Sequence, residues 1–511
     1  MAEGAGKVYL VGAGPGAPDL ITLRGASALS RAEVVLYDSL VSPDLLRLAP
    51  PAAGLIPAGK RGGGATLLSQ EAINQTLIER ARAGHTVVRL KGGDPFIFGR
   101  GGEEAAALAQ AGIAFEVVPG ITSAVAAPAL AGIPLTHREH GSFVAFVTGH
   151  EEPAREPGDG VPWEGLARAA NPRGTLVILM AAARLRAVLG RLIAGGLPDE
   201  TPAAAIHWAS TAAQRTVSAT LAGLADAVER ERLGSPAVVV VGECARLRER
   251  LAWIEKLPLF GRCIVVTRAT EEADDFATRL RELGAEVVGF PTFATVPPSS
   301  FATLDRAIGE ASSFDWLIFT SARGVDAFIA RLRALGRDVR TIGSAAIAAI
   351  GPATAAQLQH YALQVVAMPA EYRAEAILEA VGPQQIAGAR FLIPRAEVAR
   401  EILPQLLRER GAREVVIAPA YRTVIPTEYT ADRIRTLIAS RAIDLVTFTS
   451  SSTVTNFIGM VGDEAAGLKA AVIGPITAAT ARARGFDVVA TASTYTVEGL
   501  IRAIVEYSRR A

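Results

Sequence analysis

The chain has 511 residues, more than one hydrophobic core usually organises, so we expect about three or four compact units. Half of the residues are hydrophobic and 20% are charged, which excludes an intrinsically disordered chain. The 52 Lys+Arg residues balance 51 Asp+Glu residues, and a net charge of +1 gives no whole-chain field that would attract a nucleic acid. Cys244 and Cys263 are too few for a disulfide framework or a metal cluster, so we expect a cytoplasmic protein.

The sequence also argues against export and membrane insertion. The first residues carry neither a basic segment nor a cleavable apolar run. Two uncharged stretches, 117–136 and 341–359, contain glycine and proline residues that a spanning helix would have to accommodate. A buried α/β core explains both stretches better, so we expect no membrane partner.

Short apolar runs alternate with helical segments through the first half. We predict strands at 8–12, 34–37, 86–90 and 143–148, and a helix at 22–32. Continuous Val, Leu and Ile runs of this kind favour parallel strands that are covered on both faces. A glycine-rich or polar turn follows each run, and α/β proteins place their chemistry in such turns.

Composition changes mark candidate boundaries in the chain. A loop rich in Pro, Gly and acidic residues at 151–162 predicts two lobes in the first half. The second lobe would extend from a strand at 175–180 to a strand at 237–241. A charged helix predicted at 246–256 precedes an apolar strand that starts a new unit, so we predict a domain boundary near residue 258.

The second half contains an internal repeat. Segments 314–321 and 443–450 both end in Phe-Thr-Ser, and segments 350–356 and 473–479 both begin with Ile-Gly-Pro. Each copy predicts a strand, a Thr-Ser turn, a helix, a strand, a Gly-Pro turn and a helix. Helix N-termini facing a shared cleft would offer N–H groups to an anionic ligand, although a single Thr-Ser pair more often only caps a helix.

The turn Gly12-Ala-Gly14-Pro-Gly16 follows the first strand and lets a ligand approach the backbone closely. With Asp38 at the end of the next strand, it also matches a loose dinucleotide fingerprint. Pro15 and Pro18 remove N–H donors that a phosphate-binding helix would need. A nicotinamide-dependent oxidoreductase therefore stays as a minority alternative.

Four longer blocks carry a more specific resemblance. They are GAGPG from Gly12, VVRLKGGDPFIFGRGGEE at 87–104, VVPGITSA at 117–124 and AGIPLTHR at 131–138. Through these blocks the first half resembles uroporphyrinogen-III C-methyltransferase, which uses S-adenosylmethionine. The resemblance implies an α/β, two-lobed tetrapyrrole methyltransferase fold over about 5–255, with lobes of about 5–150 and 165–255. It also implies a homodimer assembled through this half.

The resemblance assigns roles position by position. It implies two successive methyl transfers, to C2 and C7 of uroporphyrinogen III, giving precorrin-2. Asp38 matches the proton acceptor and Lys60 the proton donor, while Arg100 and Glu103 match positions implicated in substrate handling. From the residues alone, Asp38 could equally cap a helix, and Lys60 could be a surface cation. The residues expected to contact S-adenosylmethionine are Pro15, Gly92, Gly93, Asp94, Ile97, Thr122, Ser123, Met180, Ala209 and Ala237.

The trailing half, about 259–511, resembles uroporphyrinogen-III synthase. The motifs that carry this resemblance begin at Val265, Phe314, Ile350, Leu392, Phe448 and Tyr495. The implied fold has two α/β lobes joined by a two-stranded ladder, one from about 261–295 plus 424–511 and the other from 297–420. The implied activity closes hydroxymethylbilane to uroporphyrinogen III, with inversion of its last ring and loss of water.

This second reaction needs no strong nucleophile, because the main task is to fold a flexible polyanion into the geometry for closure. Thr320, Ser321, Thr449 and Ser450 would bind substrate carboxylates at helix N-termini. Tyr421 is the candidate for aiding departure of the hydroxyl group, and ordinary packing stays as the alternative role. We expect the two halves to act independently, and a decayed, non-catalytic synthase half stays as an alternative.

The histidines His137, His140 and His150 have irregular spacing, and no cysteine accompanies them. We therefore expect no metal site.

Overall fold

The computed structural model describes residues 6–59, 68–150, 160–268, 270–369, 376–399, 401–426 and 431–510, with the backbone alone at 270–274. The predicted proton donor Lys60 lies outside the described residues. The chain divides into two compact units. The first unit comprises the described parts of Met1–Thr267, Glu272–Phe290 and Thr430–Ala511, and the second those of Arg268–Glu271 and Pro291–Tyr429. The predicted boundary near residue 258 lies within the first unit and stays a prediction.

The first sheet contains five parallel strands in the order β3-β2-β4-β1-β5. Alternate residues of its strands are buried on opposite faces, as with Val11 and Val88 on one face and Leu10 and Val87 on the other. This arrangement confirms the predicted parallel strands covered on both faces. The strands are β1 (Lys7–Gly12), β2 (Val34–Tyr37), β3 (Gly54–Pro57), β4 (Thr86–Lys91) and β5 (Ala114–Val118), and the helices are α1 (Leu23–Leu29), α2 (Pro43–Leu46), α3 (Gln70–Arg82), α4 (Gly101–Gln110) and α5 (Ser123–Leu130).

The second sheet has the order β6-β7-β10-β8-β9, and only its β6–β7 pair is parallel. The helix predicted at 246–256 is not continuous, because a break separates the α-helix at 248–251 from a 3-10 turn at 254–256. At the break, the Trp253 indole donates to the Ala129 carbonyl, a tertiary contact that overrides local helix propensity. The strands are β6 (Phe143–Thr148), β7 (Gly174–Leu179), β8 (Pro202–His207), β9 (Arg215–Thr220) and β10 (Ala237–Val241), and the helices are α6 (Trp163–Ala170), α7 (Leu185–Ala194), α8 (Leu224–Arg230) and α9 (Arg248–Leu251).

The remaining strands form two further sheets. They are β11 (Cys263–Val266), β12 (Glu286–Gly289), β13 (Ala294–Val296), β14 (Trp316–Phe319), β15 (Ala346–Ala349), β16 (Arg390–Ala396), β17 (Glu414–Val424), β18 (Leu445–Phe448), β19 (Lys469–Val472) and β20 (Asp487–Thr491). The third sheet, in the first unit, is parallel in the order β12-β11-β18-β19-β20. The fourth, in the second unit, has the order β13-β17-β16-β14-β15, with β13 antiparallel to β17.

Helices cover these two sheets and begin where the repeat predicts. Ser321 and Ser450 cap two helices that follow β14 and β18, and Gly351-Pro352 and Gly474-Pro475 open two that follow β15 and β19. The helices are α10 (Thr270–Glu282), α11 (Ala302–Gly309), α12 (Ala322–Ala334), α13 (Pro352–His360), α14 (Ile377–Val381), α15 (Pro383–Ile386), α16 (Ile402–Glu409), α17 (Asp432–Ala439), α18 (Ser451–Val461), α19 (Pro475–Ala483) and α20 (Val497–Arg510). The predicted repeat and the α/β fold class are confirmed. In the described part of the chain, no helix combines the length and apolar character needed to cross a bilayer.

Candidate active site

A cavity of about 930 Å³ lies at the carboxyl ends of the first sheet's strands and is bordered by the second sheet. Its wall combines turns after β1, β2 and β4 with the start of α5 and with residues that follow β7 and β8 or begin β10. The carboxyl ends of parallel strands are where α/β proteins usually bind ligands. Of the predicted site residues, the cavity is lined by Pro15, Asp38, Gly92, Gly93, Ile97, Arg100, Thr122, Ser123, Met180, Ala209 and Ala237.

The floor of the cavity is made of glycine backbones in close contact. Gly14 and Gly93 exchange two backbone hydrogen bonds of 3.2 and 2.8 Å. A β-carbon at Gly12 would lie 2.5 Å from the Cα of Gly120, and one at Gly120 would lie 2.3 Å from the carbonyl oxygen of Gly93. No larger residue fits at these positions without moving the backbone, so the glycine turns bring three chain segments together beneath the cavity.

Asp94 joins two of these segments. Its Oδ1 accepts a hydrogen bond of 2.8 Å from the Phe96 N–H, and its Oδ2 accepts one of 2.9 Å from the Gly120 N–H. Asp94 is not among the residues that line the cavity. The structure therefore gives this carboxylate a clear role in holding the glycine floor, and its predicted contact with a cationic amino group stays a prediction.

Asp38 faces the cavity from the end of β2 and is held by two donors. Arg89 Nη2 lies 2.5 Å from Oδ1, and the Gly92 N–H donates to Oδ2 at 3.3 Å. The carboxyl side chain is 33% exposed, so it can reach a bound molecule while its orientation is fixed from behind. This arrangement suits a group that accepts a proton at a defined place.

A buried charge cluster lies behind Asp38, and sequence reasoning assigned it no role. Glu104 Oε1 accepts from Arg89 Nε at 3.0 Å and from Lys91 Nζ at 2.8 Å, and all three residues are at most 2% exposed. Burial, and then the nearby Arg89 guanidinium, lower the pKa of Lys91. Within the described residues, Glu104 Oε2 is buried with no hydrogen-bond partner. The available signal was the spacing of Arg89 and Lys91, which places two cations on one face of an otherwise apolar strand.

Arg100 and Glu103 form an exposed pair at the start of α4. Arg100 Nε and Nη2 donate to the two oxygens of Glu103 at 2.9 and 2.7 Å. This pairing lowers the pKa of Glu103. Arg100 lines the cavity and Glu103 does not, and the predicted substrate-handling roles of both stay predictions.

The second lobe contributes residues with unusual backbone conformations. Met180 and Trp208 line the cavity with φ angles of 59° and 45°, and Ser210 follows at 69°. Left-handed backbone at residues other than glycine is costly and clusters at functional sites. The Ser210 hydroxyl accepts a 3.0 Å hydrogen bond from the Ala17 N–H and so ties the two lobes together beside the cavity. Trp208 and Ser210 were not predicted, because no sequence motif marks them.

The predicted synthase residues lie in two different compact units. In the second unit, the Ser321 hydroxyl caps α12 by accepting from the Gly324 N–H at 3.1 Å, and it lies 3.1 Å from the hydroxyl of Tyr421. The Tyr421 ring packs in the hydrophobic core and is 8% exposed, which agrees with a packing role. Thr320 is half-buried just before this cap.

In the first unit, Ser450 caps α18 through a reciprocal arrangement with Thr453. Thr449 is half-buried beside it. Both predicted Thr-Ser turns therefore lie at helix N-termini, and their role in binding a substrate stays a prediction.

One group among the described residues has side chains close enough to share a metal ion: His137, Glu139 and His140. The Glu139 N–H donates to His137 Nδ1 at 3.2 Å, which occupies one possible ligand atom. His150 is not in this group.

Two family models match separate parts of the chain. Tetrapyrrole (corrin/porphyrin) methylases match residues 7–225, and uroporphyrinogen-III synthase HemD matches residues 274–502. The porphyrin biosynthesis protein HemD of Ruminiclostridium josui is 36% identical over 507 residues, which is 98% of each chain.

Two further relatives match the leading half. Uroporphyrinogen-III C-methyltransferase of Priestia megaterium is 50% identical over 238 residues, which is 47% of this chain and 98% of that protein. The crystal structure of uroporphyrin-III C-methyltransferase from Thermus thermophilus complexed with S-adenosyl homocysteine is 39% identical. It covers 47% of this chain and 94% of that chain, with a TM-score of 0.40. The chain thus belongs to the family in which a tetrapyrrole methylase is fused to a uroporphyrinogen-III synthase of the HemD type.

Proposed function

We propose that the leading half methylates uroporphyrinogen III at C2 and then at C7, using S-adenosylmethionine and giving precorrin-2. We further propose that the trailing half makes uroporphyrinogen III from hydroxymethylbilane, so the chain catalyses two consecutive steps. The observation that supports the first activity most is the single cavity, which collects Asp38 and predicted donor-binding residues from both lobes.

The residues around the cavity fit a methyl donor of this kind. Its volume of about 930 Å³ is at the upper end of the range for small-molecule sites, which suits a donor together with part of a tetrapyrrole. The glycine floor lets a ligand approach backbone N–H and C=O groups. Met180, Ala209 and Ala237 supply apolar surface, and Thr122 and Ser123 supply hydroxyls.

When bound, the donor supplies an electrophilic methyl group, which is transferred as a carbon–carbon bond forms and the carbon–sulfur bond breaks. The chain's own residues have two tasks in this reaction, which are to align the pyrrole carbon and to handle one proton. Asp38 keeps lone pairs on the cavity side while Arg89 and Gly92 hold it from behind, so its carboxylate can accept the proton that leaves the methylated ring. Arg100 lines the cavity and is our proposed partner for a substrate carboxylate, and Lys60 remains the proposed proton donor.

The glycine turn argues against the nicotinamide alternative. A dinucleotide fingerprint places a helix N-terminus directly at the end of the turn, where its N–H groups bind the pyrophosphate. Here a 3-10 turn at Pro18–Leu20 follows the glycines, and α1 begins only at Leu23.

The direct test of both activities is to incubate the full chain with hydroxymethylbilane and labelled S-adenosylmethionine. Label in a doubly methylated tetrapyrrole is the expected result. Labelling only when uroporphyrinogen III is supplied would identify a non-catalytic synthase half. Binding of NAD without labelling in either case would favour an oxidoreductase.

The role of Asp38 is tested by Asp38→Asn, which keeps the shape of the side chain and removes its capacity as a base. We expect methyl transfer to fall by about 10²-fold or more while S-adenosylhomocysteine binding is retained. Asp19→Asn, at an exposed acid just after the glycine turn, is the matched control. Undiminished turnover by Asp38→Asn would remove Asp38 from the mechanism.

We also propose a cytoplasmic homodimer assembled through the methyltransferase half, on the resemblance of that half to its family. Both cysteines are buried free thiols, which agrees with a reducing compartment. Sedimentation of the full chain would test the assembly, and a monomer at micromolar concentration would contradict it.

A further inference from the structure

The cavity that contains Asp38, for which we proposed methyl transfer, is called the methylation cavity below. Its wall includes two residues that come from the trailing half of the sequence. Glu286 begins β12 of the third sheet, and Arg433 lies in the first turn of α17. Both line the same cavity as Asp38, and both belong to the compact unit that contains the first two sheets. The family resemblance gives no role to either residue.

Three polar contacts hold this part of the trailing half against the leading lobes. Arg433 donates from both terminal nitrogens to the two oxygens of Asp44, at 2.6 and 3.0 Å. Arg47 Nη1 donates to the Gly289 carbonyl at 2.7 Å, and the Ala212 N–H donates to Glu286 Oε2 at 2.8 Å. Two of these contacts reach α2 and its C-cap, and the third reaches the turn after β8, so this part of the trailing half is held at two places of the leading lobes.

Arg433 is paired at this corner, yet its side chain is only partly buried. Asp44 is shared by Arg433 and by Arg47, whose Nη1 lies 3.2 Å from the same carboxylate. The Arg433 side chain is 23% exposed, so burial does not prevent it from meeting a ligand. A guanidinium has further N–H donors beyond the two that a bidentate pair engages. Glu286, the acid in this part of the lining, is turned to the Ala212 backbone by its hydrogen bond.

We propose that Arg433 is a substrate-binding residue of the methylation cavity and takes one carboxylate of the tetrapyrrole. The proposal rests on the proposed function, because it requires a polycarboxylate substrate in this cavity. An arginine fork suits a carboxylate in geometry as well as in charge. The trailing half would then complete the site of the leading half, in contrast to the independent action expected from the sequence.

The test measures methyl transfer by the full chain at varied uroporphyrinogen III concentration, together with S-adenosylhomocysteine binding. Arg433→Met keeps the apolar stem and removes the fork, and we expect KM for uroporphyrinogen III to rise about tenfold, equivalent to about 1.4 kcal/mol. Binding of S-adenosylhomocysteine should stay within about twofold of wild type, since Arg433 is not among the residues predicted to contact the donor. Arg433→Lys should recover only part of the loss, because an ammonium restores charge without the fork.

Arg435→Met is the matched control. Arg435 is on the same helix, pairs with Glu464 and does not line the cavity. Equal KM values for Arg433→Met and Arg435→Met would overturn the proposal. It would also be overturned if Arg433→Met lost affinity for S-adenosylhomocysteine by the same factor as affinity for uroporphyrinogen III. If Arg433→Met does not fold, Arg433→Lys decides alone, and a wild-type KM in that variant overturns the proposal. Failure of the unsubstituted chain to methylate uroporphyrinogen III would instead refute the proposed function itself.

Discussion

The methylation cavity and the Thr-Ser turns of the trailing half both place polar groups at the ends of parallel strands, but they do so by different means. At the cavity, glycine backbones contact each other directly, and Arg89, which is held in a buried cluster with Lys91 and Glu104, orients the carboxylate of Asp38. At the turns, a serine side chain caps each helix, and Thr453 completes the cap of α18.

The difference teaches how much each site depends on particular residues. A β-carbon at Gly120 would overlap backbone atoms, which could make room only by a shift of the chain, and loss of Glu104 would leave buried cations without their shared anion. A capping serine, in contrast, can be replaced by threonine, aspartate or asparagine at little cost. We therefore expect substitutions in the cavity to be far more damaging than those at the turns.

The largest expected effect is that of Glu104→Gln. The substitution removes the charge that Arg89 and Lys91 share in a fully buried position, and we expect the free energy of unfolding to fall by about 3 kcal/mol. Glu103→Gln removes an exposed acid one residue earlier and should cost less than about 1 kcal/mol. Urea-induced unfolding of the two variants measures the contrast, and equal midpoints would contradict it.

Gly120→Ala should have the next largest effect. The added methyl group must displace the Gly93 carbonyl, at a cost of about 1–3 kcal/mol, and should weaken S-adenosylhomocysteine binding by moving the cavity floor. Gly102→Ala is the control, because a β-carbon there meets nothing within 4 Å. Calorimetric titration of both variants checks this. An unaltered affinity in Gly120→Ala would mean that the floor does not position the ligand.

A smaller effect is expected from pH, through the thiol at the start of the third sheet. Burial, more than the nearby acids, raises the pKa of Cys263 to about 12. The unfolded thiol titrates near 8.5, so the native state holds its proton more tightly and stability is lost as pH rises above that value. At pH 9.5 we expect a loss of about 1.4 kcal/mol relative to neutral pH. Cys263→Ala should flatten this part of the stability profile, and an equally steep decline in that variant would contradict the assignment.

The smallest effect should come from the turns. Ser450→Ala removes the cap of α18 and should cost about 1 kcal/mol, whereas Ser440→Ala removes only solvent-exposed hydrogen bonds to carbonyls of its own helix and should be nearly neutral. If Ser450 also binds substrate, its alanine variant will slow formation of the ring-inverted product more than Ser440→Ala does. Loss of stability with unchanged closure would limit Ser450 to capping and so sharpen the contrast with the cavity.

The sequence predicted those features that depend on neighbouring residues. The parallel strands of the first sheet, the capped helices of the repeat and the glycine turns all follow from local patterns. The Arg89–Glu104 contact was missed because it requires the register of α4 against β4, which local pattern does not fix. The same is true of Arg433 and Asp44, which are 389 positions apart. The run Ala237–Val241 gave no sign that β10 is antiparallel to both neighbours, since apolar strands of either direction have similar composition.

The third sheet has a consequence for synthesis of the chain on the ribosome. Its strands β11 and β18 are adjacent, and the Thr447 hydroxyl donates to the Val265 carbonyl from 182 residues further along. The first two strands of this sheet must therefore wait, with one edge uncovered, until almost the whole polypeptide has been translated. At about 5–20 residues per second the delay is on the order of ten seconds or more, a period in which a chaperone could protect the nascent edge.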